Sequence, residues 1–279
     1  MAVIIGIDAE WQTSTPSSGT DNHVLPDGKT ISDDRQTVSV LSYQWFGLDG
    51  DREWSDIYYP DLALSEKKKR LKLSQWVSLA LQQGFKNKQW PESVALASHY
   101  TTAEMSVISD FNQQKTRLDL IQGSSYATVL APLELTSCYD DSRHRHTVIV
   151  TLLDSMLLAP PDETRSLDKL GSLLGLEKLI LPSEHSKAQM LRFLEEEPEL
   201  FREYAIRDAE ITARYIKRIE RECDGLGLDN YRPVTIGSLA TRVFLEKFDG
   251  GPDNRSYDSV MGIDNRRVQQ RGYGNRARI

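Results

Sequence analysis

The chain has 279 residues, 39% hydrophobic and 27% charged, with 34 Lys and Arg against 41 Asp and Glu for a net charge of −7. Those proportions describe an ordinary globular chain able to bury a sizeable core, and they exclude disordered and fibrous classes. The negative balance argues against a protein that coats nucleic acid indiscriminately, because phosphate binding draws on clustered Lys and Arg.

Charge is uneven, however. Residues 253–279 hold six Arg and three Asp, a local +3 that leaves −10 for the remainder, and residues 249–279 read as a basic tail or linker on an acidic body. No apolar run approaches the roughly 18 to 20 residues of a membrane span, and the opening MAVIIGIDAEW turns acidic too early for a signal peptide. A cytoplasmic protein without a membrane partner is expected. Cys138 and Cys223 lie far apart without CxxC or Cys/His spacing, so neither a disulfide framework nor a zinc finger is expected.

In chain order, residues 3–11 read as a buried strand, apolar and β-branched through VIIGI and running directly into Asp8 and Glu10. Residues 12–36, rich in Ser, Thr, Pro, Gly and Asp, are expected to form a flexible loop. Segments 37–46 and 52–59 alternate like strands around a Gly/Asp turn, which predicts an antiparallel meander with the first strand. Helical period over 65–83 places Leu71, Trp76, Leu79 and Leu81 on a buried side and makes Lys67, Lys68, Lys69, Arg70 and Lys72 its solvated face. A strand at 94–98, a helix over 102–114, an irregular insertion at 118–146 with a candidate hairpin, and a strand at 147–154 follow. Helices are then predicted near 166–175, 186–196, 199–223 and 235–248, with Gly175, Gly225 and Gly227 as stop signals. The order predicts one α/β domain over residues 1–248, built on a mixed sheet of about five strands with helices on both sides.

Side chains at i and i+2 of a strand share a face, so Asp8 and Glu10 stand side by side, about 6.5 Å apart at Cα. Two carboxylates there repel unless a cation lies between them, although a DxE pair taken alone is equally a solvated strand end. Asp208 falls inside the apolar stripe of the helix over 199–223, among Phe201, Tyr204, Ala205, Ile211, Tyr215 and Ile219. A buried carboxylate needs a cation, an Arg or several donors, and Arg207 is poorly placed because i and i+1 do not face each other. Tyr204, one turn before Asp208, shares its face. Glu104, in the first turn of a helix capped near Thr101 or Thr102, shares a face with Val107, Ile108 and Phe111, whereas Asp110 goes with Ser106 and Gln113. The competing reading of Glu104 is a charge favourable to the helix dipole. Inward acids from three distant segments suit hard cations such as Mg²⁺ or Mn²⁺. Two of them about 3.5 to 4 Å apart clamp the attacking and leaving oxygens of a phosphodiester.

In this order, IDAEW (7–11), SHYTTAE (98–104) and YAIRD (204–208) resemble the three motifs of DEDDy-type 3′→5′ exonucleases of the DnaQ-like, ribonuclease H-like superfamily. LLDSMLLAP (152–160), SLDKLGSLLGL (166–176) and VTIGSLATRVF (234–244) are similar to the proofreading region of family B DNA polymerases of the phage and plasmid kind. The resemblance covers most of residues 3–248. It implies a ribonuclease H-like fold and a 3′→5′ exonuclease that hydrolyses single-stranded DNA with two divalent cations. Asp8 would bridge both ions, Glu10 and Asp208 would hold the ion that activates water, Glu104 would serve the other, and Tyr204 would orient the water. Trp11, His99, Tyr100 and Phe111, close to the motifs, are the candidate substrate-binding residues. The implied partner is a single-stranded DNA 3′ end, with RNA as an alternative and a separate polymerase or replication protein as a further partner. Two positions depart from the family pattern: Glu104 stands where Asp is usual, and Tyr100 where Asn is usual. They keep open a module that binds strands without cutting them.

Overall fold

The computed structural model describes residues 3–14, 22–24, 30–32, 37–86, 88–121, 125–160, 165–182, 185–228 and 231–248, so the basic tail read at 249–279 lies outside the described residues. β1 (Val3–Ser14) is followed by a short pair, β2 (Asn22–Val24) and β3 (Thr30–Ser32), and then by β4 (Thr37–Asp49) and β5 (Arg52–Tyr58). Helices α1 (Glu66–Lys69) and α2 (Leu73–Gly84) lead to β6 (Ser93–Ser98), α3 (Thr101–Ser106) and α4 (Phe111–Gln114). Next come the pair β7 (Asp119–Ile121) and β8 (Ser125–Ala127), then β9 (Leu133–Tyr139) and β10 (Arg145–Asp154). The remaining helices are α5 (Ser155–Leu158), α6 (Leu167–Leu174), α7 (Met190–Glu196), α8 (Pro198–Gly225) and α9 (Ile236–Phe248).

A mixed six-stranded sheet in the order β5-β4-β1-β6-β10-β9 organises these elements. β5, β4 and β1 form the expected antiparallel meander, β6 runs parallel to β1, and β10 runs parallel to β6. The sixth strand corrects the expectation of five. It comes from the stretch read as an irregular insertion, where β9 pairs antiparallel with β10 and turns Leu133, Leu135 and Cys138 into the core.

Both faces of the sheet are covered, which is why the central strands β1, β6 and β10 read as near-continuous apolar runs. On one face Ile5, Ile7 and Ala9 of β1 join Leu73, Trp76, Val77 and Leu81 of α2 in one core cluster. On the other, Ile4, Ala95, Ala97 and Leu153 join Ala209, Ala213 and Ile216 of α8. α8 lies very close to β1 at Gly6, where a Cβ would stand 2.1 Å from the Ala209 carbonyl oxygen and 2.9 Å from the Ala213 Cβ.

Three local expectations are corrected. The helix read over 65–83 breaks at residues 70–72, where Arg70 and Lys72 take extended backbone. The break turns Lys69 inward, 2.7 Å from Glu66 and 2.9 Å from the Ser39 hydroxyl, so the lysine run is not one solvated face. The helix read over 102–114 also divides, and Asp110 is buried because it accepts the Leu73 N–H at the start of α2 at 3.0 Å and the Gln114 amide. In the stretch read as a loop at 12–36, residues 12–14 extend β1 and residues 22–24 pair with 30–32; the rest of it lies outside the described residues.

Candidate metal centre

The site begins with the alternation of β1. Ile4, Gly6, Asp8 and Glu10 occupy the positions that face α8. β6 accompanies β1 only through Val3–Gly6, whereas β4 pairs with it as far as Ser14. From Ile7 onward one edge of β1 is therefore left without β6, and there its face turns from apolar to acidic. A register shift beside Glu10 makes Leu41 an extra residue on β4, and Leu41 packs with Phe193, Phe201 and Tyr204 under the acids' neighbours.

α8 supplies the third acid. Asp208 precedes Ala209, whose carbonyl meets Gly6, so the close approach of helix to strand carries Asp208 to Asp8. One oxygen each of Asp8, Glu10 and Asp208 lie within 4.8 Å of one another, a ligand set that could hold a hard divalent cation. Asp208 and Tyr204 are both 5% exposed, and Tyr204 lines the same cavity of about 260 Å³ with its ring edge-on to Phe193. Arg207 turns away to Glu210 at 3.5 Å, as its place on the helix requires.

Glu104 reaches the site from the open edge of β1. It is 3% exposed, the Ala9 N–H donates to its carboxylate, and its Oε2 has no hydrogen-bond partner among the described residues. It stands outside the trio within 4.8 Å.

The helix that carries Glu104 is not capped by Thr101 or Thr102. Its N-cap is Tyr100, which has φ 64° and no side-chain cap of its own. That left-handed conformation costs about 1–2 kcal/mol for a residue with a Cβ. The fully buried Asp154, at the end of β10, compensates from another element. Its Oδ1 accepts the Tyr100 N–H at 3.0 Å and the Met156 N–H at 2.8 Å, and its Oδ2 accepts the Thr101 N–H at 2.8 Å and the Ser125 hydroxyl. Asp154 thus fixes where α3 begins and where Glu104 points.

Other functional neighbours were also missed in the sequence. Gln44 pairs with Asp8 across β4 and donates to its Oδ2, while the Ser42 hydroxyl donates to Gln44 Oε1 at 3.0 Å and so fixes which end of the amide meets the acid. The signal was present, because Ser42 and Gln44 interrupt an apolar strand on the acids' face. Lys178 donates to Asp208 Oδ2 and stands 5.5 Å above the Tyr204 ring, and Lys187 lines the same cavity. Lys178 lies between α6 and α7 in a stretch without helix or strand, so no periodicity marked it.

Burial first, and mutual repulsion second, push the Asp8 carboxyl up to about 8 and lift Glu10 and Glu104 well above the usual carboxylate range. Burial also raises Asp208, with Lys178 opposing it. Tyr204 is held protonated by burial and by the nearby Glu10. Burial drives His99 down to about 4, and its Nδ1 sits 2.9 Å from the Ser155 hydroxyl, so the neutral ring is tied to the start of α5.

Of the proposed substrate contacts, Trp11 borders the acidic cavity while its ring packs toward the α2 core, and Tyr100 is 39% exposed beside α3. Phe111 lies apart, in a second cleft, with its ring edge-on to Tyr126 at 5.5 Å.

No protein-family model matches the chain. The chain is similar to the primer-independent DNA polymerase PolB of Escherichia coli, with 28% identity over 231 residues; the match covers 74% of this chain and 26%, about a quarter, of that protein.

Proposed function

We propose that this chain is a metal-dependent 3′→5′ exonuclease with a ribonuclease H-like fold, removing nucleotides from the 3′ end of single-stranded DNA. The observation that carries the reading is the convergence of Asp8, Glu10 and Asp208 within 4.8 Å. Two buried carboxylate oxygens beside it, Asp208 Oδ1 and Glu104 Oε2, have no hydrogen-bond partner among the described residues. An unsatisfied buried polar atom costs about 1–3 kcal/mol, and more when charged. Carboxylate oxygens from three residues gathered within 4.8 Å are the all-oxygen donor set that hard divalent cations take. The residues therefore fit hard divalent cations. Further support comes from the acids' position on the central strand and the long helix beside it, and from the similarity to a DNA polymerase.

When bound, the cations supply a lowered pKa for attacking water and a neutralising charge for the phosphodiester. Asp8, Glu10 and Asp208 would hold the ions, with Gln44 donating to Asp8 Oδ2 and keeping that carboxylate oriented. Glu104 serves from the open strand edge, held there by Asp154 and the Ala9 N–H. Tyr204 stays a neutral phenol and orients water or phosphate by hydrogen bonding. Lys178, bonded to Asp208 Oδ2 and lining the cavity, would supply a positive charge beside a bound phosphate.

The test is degradation of a 5′-labelled single strand in Mg²⁺ or Mn²⁺. The expected result is a ladder shortened from the 3′ end, abolished by EDTA and by Asp208→Asn; products that ignore both treatments would sink the reading. An RNA strand run in parallel decides the sugar preference. Two observations favour a second reading, a module that holds strands or a polymerase-like partner without cutting: Lys178 occupies Asp208, and Glu104 lies outside the close trio. Tight strand binding with no product in Mn²⁺ would select it.

A further inference from the structure

Residues 66–72 carry five basic side chains and one acid. On the outer face of a single helix they would need no explanation beyond solvent. The break between α1 and α2 sorts them instead. Lys69 is buried against Glu66. Arg70 folds back, donating to the Ser106 carbonyl at 3.0 Å and the Val38 carbonyl at 3.4 Å, and its buried Nε has no hydrogen-bond partner among the described residues. Both acceptors are neutral, so among the described residues no anion is paired with this guanidinium. Lys67, Lys68 and Lys72 are exposed, and no ion pair engages them among the described residues.

Between this segment and the residues after α3 lies a cleft of about 370 Å³, lined by Glu66, Lys67, Arg70, Ser106, Ile108, Ser109, Phe111 and Asn112. Lys69 offsets Glu66 at 2.7 Å, and the exposed Lys68 and Lys72 are neighbours in sequence of the lining residues. Two elements, the β1–β4 pair and α3, run from the cleft toward the carboxylates. Thr13, which lines the cavity, pairs with Val38, whose carbonyl holds Arg70. Ser106 follows Glu104 by one half-turn of the same helix. Thr13 lies three residue steps beyond Glu10 on β1, about 10 Å at about 3.3 Å per residue.

We infer that this cleft receives the phosphodiester backbone of a single strand whose 3′ end lies at the carboxylates, with the lysines and Arg70 meeting phosphates and Phe111 stacking a base. The inference rests on the exonuclease reading. A protein of net charge −7 that holds a polyanion needs local clusters of unpaired cations, and this segment is one of them. A free anion would need only those cations; the aromatic wall is what points to a strand, because stacking tolerates any base.

The test uses the full chain with Lys67, Lys68 and Lys72 all changed to Ala, exposed positions whose loss leaves Arg70 and the fold in place. Fluorescein-labelled oligo-dT of about 4 and about 12 nucleotides is titrated by anisotropy in EDTA across about 50 to 300 mM salt. The triple variant is expected to bind the longer strand on the order of tenfold more weakly, with the slope of log K against log salt reduced by about 2, since each contact contributes about 0.7. Binding of the shorter strand is expected to change less than about twofold. Phe111→Ala is expected to weaken the longer strand by about tenfold with its slope unchanged. An unchanged slope in the triple variant, or equal losses on both strands, overturns the inference. Because the titration needs no hydrolysis, failure of wild-type protein to degrade DNA in Mn²⁺ rejects the nuclease reading separately.

Discussion

The two faces of β1 are made by one strand under opposite rules. Ile5, Ile7 and Ala9 look into a continuous apolar cluster with Trp76, Leu73 and Leu81. Ile4 and Gly6 begin the opposite face in the same way, packed against α8, but two residues later that face presents Asp8 and Glu10. The first face lowers the free energy of folding by removing apolar surface from water. The second raises it, because carboxylates pressed together in a buried place resist ionisation. A strand can present a costly face only while its other face is well packed, so changes on the two faces should separate stability from activity.

The largest expected effect is catalytic. Asp208→Asn should cut divalent-dependent hydrolysis by on the order of 10³-fold, as loss of preorganised charge stabilisation does, while its melting temperature in EDTA stays near wild type; initial rates and thermal melts check both. A large loss of melting temperature would show that the acids stabilise the fold after all and would break the comparison.

On the opposite face Trp76 is 0% exposed, and Trp76→Ala should cost about 3–5 kcal/mol by urea unfolding. Gly6→Val lies between the faces in effect. It drives a side chain into the Ala209 carbonyl, should cost about 3 kcal/mol, and by pushing α8 from β1 should weaken Mn²⁺ binding, measured by calorimetry.

A smaller effect concerns pH. Asp8 is raised from 3.8 to about 8 in the folded chain. Its carboxyl is protonated in both states below about 4, so the Asp8 contribution to metal-free stability is greatest there, falls as pH rises toward about 8, and then levels. Mn²⁺ affinity should rise over the same interval as binding displaces the proton. Urea midpoints in EDTA at pH 5 and 8 check the sign, and Asp8→Asn should flatten the slope.

The smallest effect is Glu104→Gln. Removing one repelling carboxylate should raise the melting temperature in EDTA by about 2–4 °C while activity falls. A lower melting temperature would show that the Ala9 N–H needs the charge more than the site resents it.

Much of this was legible before any fold was known. β-Branched density marked β1, and the period of two put Asp8 and Glu10 on one face. The period of 3.6 put Asp208 and Tyr204 inside the apolar stripe of α8, and Glu104 on the buried side of α3. These facts are local: they depend on which residues recur at the spacing of a strand or a helix. The helix breaks at residues 70–72 and after Ser106 were not legible, because long-range partners impose them: Ser39 takes Lys69, and Asp110 meets the start of α2. Asp154 escaped because it caps a helix 54 residues away in sequence from Tyr100. Lys178 escaped because a residue outside regular structure carries no period. Local patterns told which side chains would turn inward, since that follows from backbone geometry alone. Only the tertiary structure decided which of them meet, since Gly6 had to admit α8, and β6 had to stop short, before three separate acids could share one cavity.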